Sequence, residues 1–244
     1  MPGSIVISQS MYFPWVGLLE QIRLADVFVH YDDVQFSKGS FSNRVQVKTR
    51  KGSSWMTIPL RGVRLGQRLA EVQLDDTRDW RGQHQEMLHQ AYRDALFCDD
   101  MLALVRRVHD APAQGLADVA KASMLELASY FDLKKDVSFV DVDSLGVNGA
   151  SSQRVHDVVT ALNGSRYVTG HGARNYLDHD LFERSSISVE YMNYRCIPYQ
   201  QLHGAFTPYV SALDLVANCG VEGRAVICSD SVYWRKFING NEDE

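Results

Sequence analysis

The fold is decided by residues 5–33, which read IVISQSMYFPWVGLLEQIRLADVFVHYDD. The apolar run at 5–7 ends in polar residues and an aromatic turn, and residues 16–25 then repeat apolar side chains at helical spacing. A second apolar run at 27–31 ends in Asp32 and Asp33. A strand, a helix and a second strand in this order are typical of a parallel sheet. Ligands of open α/β sheets bind beyond the carboxyl ends of the strands, so we expect a site where these two runs end.

Strands and helices alternate again in the second half of the chain. The predicted strands lie at residues 137–142, 167–169 and 187–192, and the predicted helices at 151–162, 175–182 and 210–218. The last helix is expected to stop at Gly220, a common helix-terminating residue. This alternation predicts an α/β fold with a Rossmann-like, mostly parallel sheet.

Two segments interrupt the alternation. Residues 41–60 read as two strands around the turn at 51–53, with apolar or strand-forming residues at 45–47 and 55–59, and predict a hairpin. Residues 80–131 repeat apolar side chains at helical spacing, with a break at Pro112, and predict a helical insertion. We therefore divide the chain into residues 1–77 (first part of the α/β core with the hairpin), 78–133 (the helical insertion) and 134–244 (second part of the core).

Composition limits the function classes. The 244 residues are 45% hydrophobic and carry a formal net charge of −5, which argues against general nucleic-acid binding, although the basic loop at 38–51 could hold an anionic ligand. The four cysteines show no metal-ligand spacing, so we expect no metal. The N-terminus lacks an export signal and no apolar run is long enough to span a bilayer. We expect a cytoplasmic protein with no membrane insertion.

Asp33 and His171 are the candidates for acid–base chemistry. Asp32 and Asp33 end the second strand, and because neighbouring side chains point to opposite faces, one of them at most faces a given site. A plainer alternative is a pair of turn residues that accept backbone N–H groups. His171 stands between two glycines after a predicted strand, and histidine exchanges protons readily near neutral pH. A structural loop histidine is the alternative there.

Candidates for substrate binding surround the first strand ends. The aromatic rings of Tyr12 and Trp15 could form a wall for a sugar or a base, and Gly17 could let backbone approach a ligand closely. Lys38 and Arg44 could bind a diphosphate or a carboxylate, since a guanidinium binds such groups in a bidentate manner. The other candidates there are Gln9, Asp32, Gln35 and Asn43. Packing of the aromatic residues in the core and simple solvation of the charges remain alternatives.

Two more candidates lie near the last helix. His203 precedes a glycine, and Tyr209 follows the sequence Phe206-Thr207-Pro208. Both could complete a binding site, or Thr207 could instead cap the helix.

Three sequence patterns together resemble one family. They are Gln9, Tyr12, Pro14, Trp15, Gly17, Asp33, Val34, Gln35, Phe36, Lys38, Asn43 and Arg44; then residues 167–177; and then residues 206–215. In this combination the chain resembles the WbqC-like family of bacterial proteins, and the resemblance covers most of the chain. The family often has His-Gln-Pro at the first turn, where this chain has Ser8-Gln9-Ser10. A role of that histidine is therefore not transferred.

The resemblance implies a place in surface-polysaccharide biosynthesis, such as that of O-antigen. The expected function is acyl or aminoacyl transfer to a nucleotide-linked amino sugar, with a carrier as a possible donor of the acyl group and no certain cofactor. One alternative is nucleotidyl or adenylyl transfer, although residues 15–18 lack both histidines of the His-x-Gly-His motif that such enzymes carry. The other is a protein that binds a glycan precursor without catalysis.

Overall fold

The computed structural model describes residues 3–240 and shows a mixed α/β architecture. The strands in this part of the chain are β1 (Ser4–Ser8), β2 (Val27–His30), β3 (Arg44–Thr49), β4 (Gly52–Thr57), β5 (Leu60–Arg61), β6 (Gln73–Leu74), β7 (Ser138–Asp141), β8 (Arg166–Thr169), β9 (Ser188–Asn193) and β10 (Asp230–Tyr233). The α-helices are α1 (Val16–Leu24), α2 (Trp80–Tyr92), α3 (Cys98–Asp110), α4 (Leu116–Tyr130), α5 (Ser151–Ala161), α6 (His179–Arg184), α7 (Ala212–Cys219) and α8 (Trp234–Asn239).

Six strands form the main sheet, in the order β10-β9-β8-β1-β2-β7. All neighbours are parallel except β10, which runs antiparallel to β9. Counted along the chain, the parallel strands have the order 3-2-1-4-5, which is the doubly wound Rossmann order. The predicted Rossmann-like, mostly parallel sheet is confirmed. In this order the chain reverses direction across the sheet between β1 and β8, where ligands of such sheets bind.

The two faces of the sheet pack against different helices. Val6 and Phe28 share a buried cluster with residues of α1, whereas Ile5 and Ile7 belong to a second cluster that includes Val158 of α5. Successive side chains of a strand point to opposite faces, so the near-continuous apolar runs of β1 and β2 are those of a sheet covered on both sides.

The hairpin and the helical insertion are both present. Strands β3 and β4 pair antiparallel, with Arg44 opposite Thr57, and helices α2 to α4 lie between β6 and β7 in the chain. Trp80 of α2 and Met124 of α4 are buried in the same cluster as Leu18 of α1. The insertion thus shares its core with one face of the sheet. The division at residues 77 and 133 stays a prediction.

Two predicted helix boundaries were wrong, and caps explain both. The last long helix, α7, begins at Ala212, because Ser211 Oγ accepts the backbone N–H of Leu213 at 3.2 Å; Thr207 is not its cap. The helix predicted at 175–182 is replaced by a 3₁₀ turn at His171–Asn175 and the short α6, whose cap Asp178 accepts the N–H of Leu181 at 3.1 Å. Helix α7 does end at Gly220, as expected.

Candidate functional site

A cleft of about 810 Å³ opens beyond the carboxyl ends of β1 and β2, on the face of the sheet that α5 covers. Its polar lining includes Gln9, Asp33, Gln35, Arg68, Ser151 and Arg154. Tyr31 and Tyr176 add aromatic rings, and Ile7 and Val155 add apolar surface. A mostly preformed cleft of this size, with a few convergent polar groups, has the properties of a small-molecule site.

Asp33 and Arg154 form a bidentate ion pair in this cleft. Arg154 Nη1 donates to Asp33 Oδ1 at 3.0 Å, and Nη2 donates to Oδ2. The hydrogen bonds to Asp33 raise the pKa of the Arg154 guanidinium. This guanidinium also lies 4.9 Å from the centre of the Tyr31 ring. Both carboxylate oxygens of Asp33 are thus engaged, an arrangement that suits the positioning of groups better than proton transfer.

The same guanidinium holds the loop that leads into α5. Its Nη2 donates to the carbonyl of Val147 at 3.2 Å. The loop contains three positive φ angles, at Gly146 (63°), Gly149 (110°) and Ser151 (57°). The last is unusual because residues other than glycine rarely adopt this conformation, which costs on the order of 1–3 kcal/mol. Arg154 therefore fixes a strained loop at the wall of the cleft.

The opposite wall joins three segments of chain. Gln9 Nε2 donates to the backbone carbonyl of Gln35 at 3.3 Å, and Gln35 forms an isolated β-bridge with Arg68. Nearby, the N–H of Phe36 donates to the carbonyl of Gln67 at 2.8 Å. Three of the predicted site residues, Gln9, Asp33 and Gln35, are thus brought together in the cleft.

Four other candidates gather elsewhere at the same edge of the sheet, around Tyr194. The Tyr194 ring lies 4.9 Å from that of Trp15 and 5.1 Å from that of His171, and the Trp15 ring lies 5.3 Å from that of Tyr209. Gly17 follows Trp15 by two residues in α1. We call these five residues the Tyr194 cluster. Tyr194 packs against the buried cluster on the α1 side, whereas the His171 ring also lies 4.8 Å from that of Phe237, which packs against the cluster on the α5 side.

The tautomer of His171 follows from its hydrogen bond. Its Nε2 lies 2.7 Å from the carbonyl oxygen of Met192, which can only accept, so neutral His171 carries its proton on Nε2. Nδ1 of this tautomer carries the lone pair. The preceding Gly170 has an ordinary φ of −79°, and a Cβ there would lie 3.3 Å from the Tyr194 hydroxyl. Neither flanking glycine has a positive φ, so the backbone on both sides of His171 is ordinary.

Gly17 accommodates the Trp15 indole. A Cβ at Gly17 would lie 2.2 Å from two atoms of that ring. The absence of a side chain is therefore explained by internal packing, and the indole occupies the space that a ligand would need to approach this backbone.

Tyr12 lies in the core between the first turn and the helical insertion. Its hydroxyl lies 3.0 Å from His84 Nδ1 and 2.8 Å from His109 Nε2. Burial lowers the pKa of His84 to about 4 and that of His109 to about 3, so both are neutral at pH 7. His84 Nε2 donates to the carbonyl of Thr57 at 3.1 Å. His84 Nδ1 must then accept from Tyr12, whose oxygen accepts from His109.

Asp32 belongs to another buried network. It accepts the backbone N–H of Ser10 at 2.8 Å and the Ser10 hydroxyl at 2.7 Å, and Lys121 Nζ lies 3.7 Å away. Ser10 Oγ also lies 2.9 Å from His30 Nδ1. Desolvation raises the pKa of the Asp32 carboxyl. The structure thus separates the two adjacent aspartates, with Asp32 in the interior and Asp33 in the cleft.

The remaining candidates lie outside the lining of the cleft. Lys38 is exposed, and Asn43 is buried, where its Nδ2 donates to the carbonyl of Ile58 at 3.1 Å. The Arg44 guanidinium stacks 4.1 Å from the Trp55 ring. His203 Nε2 lies 2.7 Å from the carbonyl of Ala91 at the end of α2.

Sequence reasoning missed Arg154, Tyr31, Arg68, Tyr176 and Tyr194. A signal existed for Arg154: residues 146–151 read GVNGAS, a glycine-containing polar loop between a predicted strand and a helix. The rule that sites lie beyond strand ends applies to that loop as well. Tyr176 lies within the matched pattern at 167–177, whereas nothing in the local sequence around Arg68 distinguishes that residue.

The fold is that of an α/β protein of the doubly wound class, with a cleft at the carboxyl edge of its sheet. The model of the WbqC-like protein family matches residues 9–226, so the chain belongs to this family. It is also 30% identical over 223 residues to the "Uncharacterized protein Rv1507c" of Mycobacterium tuberculosis (strain ATCC 25618 / H37Rv), covering 89% of this chain and 94% of that protein. No solved structure matches the chain significantly.

Two further observations concern residues 3–240. No helix in this part of the chain has the length and apolar character needed to cross a bilayer. Within the same residues, no group of three or more His, Cys, Asp or Glu side chains is arranged to hold a metal ion.

Proposed function

We propose that this protein transfers an acyl or aminoacyl group to the amine of a nucleotide-linked amino sugar in surface-polysaccharide biosynthesis. The observation that carries the proposal is the cleft of about 810 Å³ at the carboxyl edge of the sheet, which has the size and polar lining for a nucleotide sugar. Membership of the WbqC-like family supports the setting of polysaccharide biosynthesis.

In this proposal, the N-terminus of α5 and the side chain of Arg68 bind the diphosphate of the nucleotide sugar. The first N–H groups of a helix have no acceptor within the helix, and Ala150 provides no capping side chain. The helix N-terminus and an arginine both favour an anion. Gln9 and the backbone around Gln35 are placed to bind hydroxyl groups, and the rings of Tyr31 and Tyr176 can flank the sugar or the base.

The proton acceptor in this scheme is His171. The neutral amine attacks the acyl carbonyl, a carbon–nitrogen bond forms, and the bond between the acyl group and its carrier breaks. The proton leaves the amine for His171 Nδ1 and passes to the departing carrier group. His171 lies outside the lining of the cleft, so the scheme requires the amine to extend past Gln9 at the end of β1 toward the end of the neighbouring strand β8. Asp33 acts as a positioning residue through Arg154.

The first test measures the melting temperature of the protein with nucleotide-linked amino sugars, free nucleotides and acyl-CoAs. A ligand that binds the folded state raises this temperature. The nucleotide sugar that does so is then incubated with acyl-CoA or acyl-carrier protein, and the N-acylated product is sought by mass spectrometry. We expect His171→Ala to lower turnover about 100-fold or more, while His89→Ala, an exposed histidine of α2, leaves it unchanged.

Two outcomes would overturn the proposed function, and a third would overturn the assignment of the proton acceptor. Binding of the nucleotide sugar without turnover by any acyl donor would indicate a binding protein. A melting shift with ATP alone, together with release of pyrophosphate, would indicate nucleotidyl transfer. Undiminished turnover of the His171→Ala variant would remove His171 as the proton acceptor.

A further inference from the structure

We propose that residues 61–68, RGVRLGQR, bind the surface of an anionic lipid bilayer. We call this loop the arginine tip. Leu65 is 97% exposed at its end, and Val63 is exposed beside it. Gly62 and Gly66 bracket these residues with φ angles of 62° and 80°. A leucine side chain held this far from the core contributes almost nothing to folding and is available to an apolar phase outside the protein.

The tip carries positive charge in a chain that is negative overall. Residues 34–70 contain eight lysines and arginines and no aspartate or glutamate, whereas the whole chain has a net charge of −5. Arg61, Arg64 and Arg68 are exposed, and none of them forms an ion pair within 4.0 Å among the residues that the structure describes. Glu71 and Asp75 are the first acids after the tip. Arg61 lies near enough to Asp75 to help lower the pKa of that carboxyl, and Arg68 lines the cleft, so Arg64 is the tip arginine best placed to meet an external anion.

An anionic membrane fits this loop better than a protein or a nucleic acid. A stable protein interface buries about 800 Å² on each partner, which is more than one short loop offers. Single-stranded nucleic acids stack their bases on aromatic side chains, and the tip has none. A single aliphatic side chain can insert between the headgroups to the level where the acyl chains begin, while the flanking arginines remain among the lipid headgroups. Such binding needs no spanning helix.

The arginine tip stands at the rim of the cleft. Arg68 lines the cleft and bridges to Gln35, and the N–H of Leu69 donates to the carbonyl of Val34 at 3.0 Å. Val34 and Gln35 line the cleft as well. A tip seated in the headgroups would hold the mouth of the cleft at the membrane surface. The inference does not depend on which reaction the cleft performs.

The test is sedimentation of the full chain with vesicles of phosphatidylcholine, with and without about 30 mol% phosphatidylglycerol. We expect binding to the anionic vesicles only, and weaker binding at high salt. Leu65→Glu and the double variant Arg61→Glu/Arg64→Glu should each lower the partition coefficient about tenfold or more. The matched control is Leu96→Glu, which alters an 84% exposed leucine in a loop flanked by Asp94 and Asp99 and should bind like the native chain.

The altered side chains are exposed, so all variants should keep the native melting temperature. The proposal is overturned if the native protein ignores anionic vesicles, or if Leu65→Glu and Leu96→Glu bind them equally well. Binding of a single-stranded oligonucleotide that Arg64→Glu abolishes, without vesicle binding, would overturn it in favour of a nucleic acid. The proposal is supported if Leu65→Glu loses vesicle binding while Leu96→Glu retains it.

Discussion

The Tyr12 hydroxyl donates a hydrogen bond to Nδ1 of His84, joining the first turn of the chain to the helical insertion across 72 residues of sequence. This hydrogen bond belongs to a series in which each group donates to the next in one direction. Gln85 Nε2 donates to His109 Nδ1 at 3.5 Å, His109 Nε2 donates to Tyr12, Tyr12 donates to His84, and His84 Nε2 donates to Thr57. Every nitrogen and oxygen of the Tyr12, His84 and His109 side chains thus has a partner, as buried polar groups require.

Replacing Tyr12 with phenylalanine should therefore destabilise the protein. The change removes one hydroxyl and leaves an N–H of His109 and a lone pair of His84 without partners in the core, which costs about 1–3 kcal/mol. Urea denaturation at pH 7.5 measures the free energy of unfolding. Tyr130→Phe is the control, since its hydroxyl donates to Asp100 at the surface, and it should change little. Equal effects of the two variants would contradict the network.

The same network predicts that acid destabilises the protein. The pKa values of His84 and His109 fall from the ordinary 6.5 to about 4 and about 3, because burial disfavours the charged imidazolium. Between these values and pH 6.5 the unfolded chain binds more protons than the folded protein does. The contribution of the two histidines to the free energy of unfolding is therefore fully present above pH 6.5 and is lost as the pH falls. From pH 7.5 to 5, each histidine should contribute a loss of about 2 kcal/mol.

A variant isolates this contribution from other groups. Asp32, Asp214 and Glu20 have raised pKa values from desolvation, and their effect on the pH dependence has the opposite sign. His109→Gln retains an N–H donor near the position of Nε2 but cannot titrate. Its loss of stability from pH 7.5 to 5 should be smaller than that of the native protein by about 2 kcal/mol. The exposed His89→Gln should show the native loss.

Local sequence was sufficient for the parts of the site that follow directly from strand ends. Gln9 and Asp33 come just after β1 and β2, so the alternation of strands and helices placed them at the carboxyl edge. It was insufficient for Tyr12, whose aromatic turn is covered by α2 and α3; that packing joins segments about 100 residues apart. The loop before α5 carried a local signal, but the pairing of Arg154 with Asp33, 121 positions earlier, could not be derived from it.

The edge strand β10 was also missed. It is four residues long and pairs only with β9 in the part of the chain that the structure describes. Its pattern of side chains is too short to separate a strand from a loop, and its place is set by antiparallel pairing with Asn193 and its neighbours. The sheet order itself could not be derived from local sequence, although the mostly parallel character could.

The contributions of Asp33 and Arg154 to the free energy of unfolding should depend strongly on each other. Their side chains are only 11% and 9% exposed, so Asp33→Asn leaves a charge in poorly hydrated surroundings, and we expect a loss of about 3 kcal/mol in the free energy of unfolding. In a double-mutant cycle with Arg154→Met, the coupling energy should exceed about 1 kcal/mol. The exposed pair Arg195–Asp230 is the control and should show negligible coupling. Similar coupling in both pairs would contradict this account.

The contact between Gly17 and the Trp15 indole should make alanine unfavourable at this helical position. In a helix, alanine is ordinarily favoured over glycine by about 1 kcal/mol. At Gly17, however, the new Cβ would meet the Trp15 indole at 2.2 Å, and Tyr194 and Tyr209 limit where that ring can move. Overpacking of this kind costs about 1–3 kcal/mol, so Gly17→Ala should be destabilising despite its helix propensity. Near-ultraviolet circular dichroism should show an altered environment of Trp15.

The control is Gly172→Ala. At Gly172 a Cβ meets nothing within 4 Å and φ is not positive, so this substitution should be neutral or slightly stabilising. If Gly17→Ala were as stable as Gly172→Ala, with an unchanged spectrum, the glycine would have to be explained by something other than the indole.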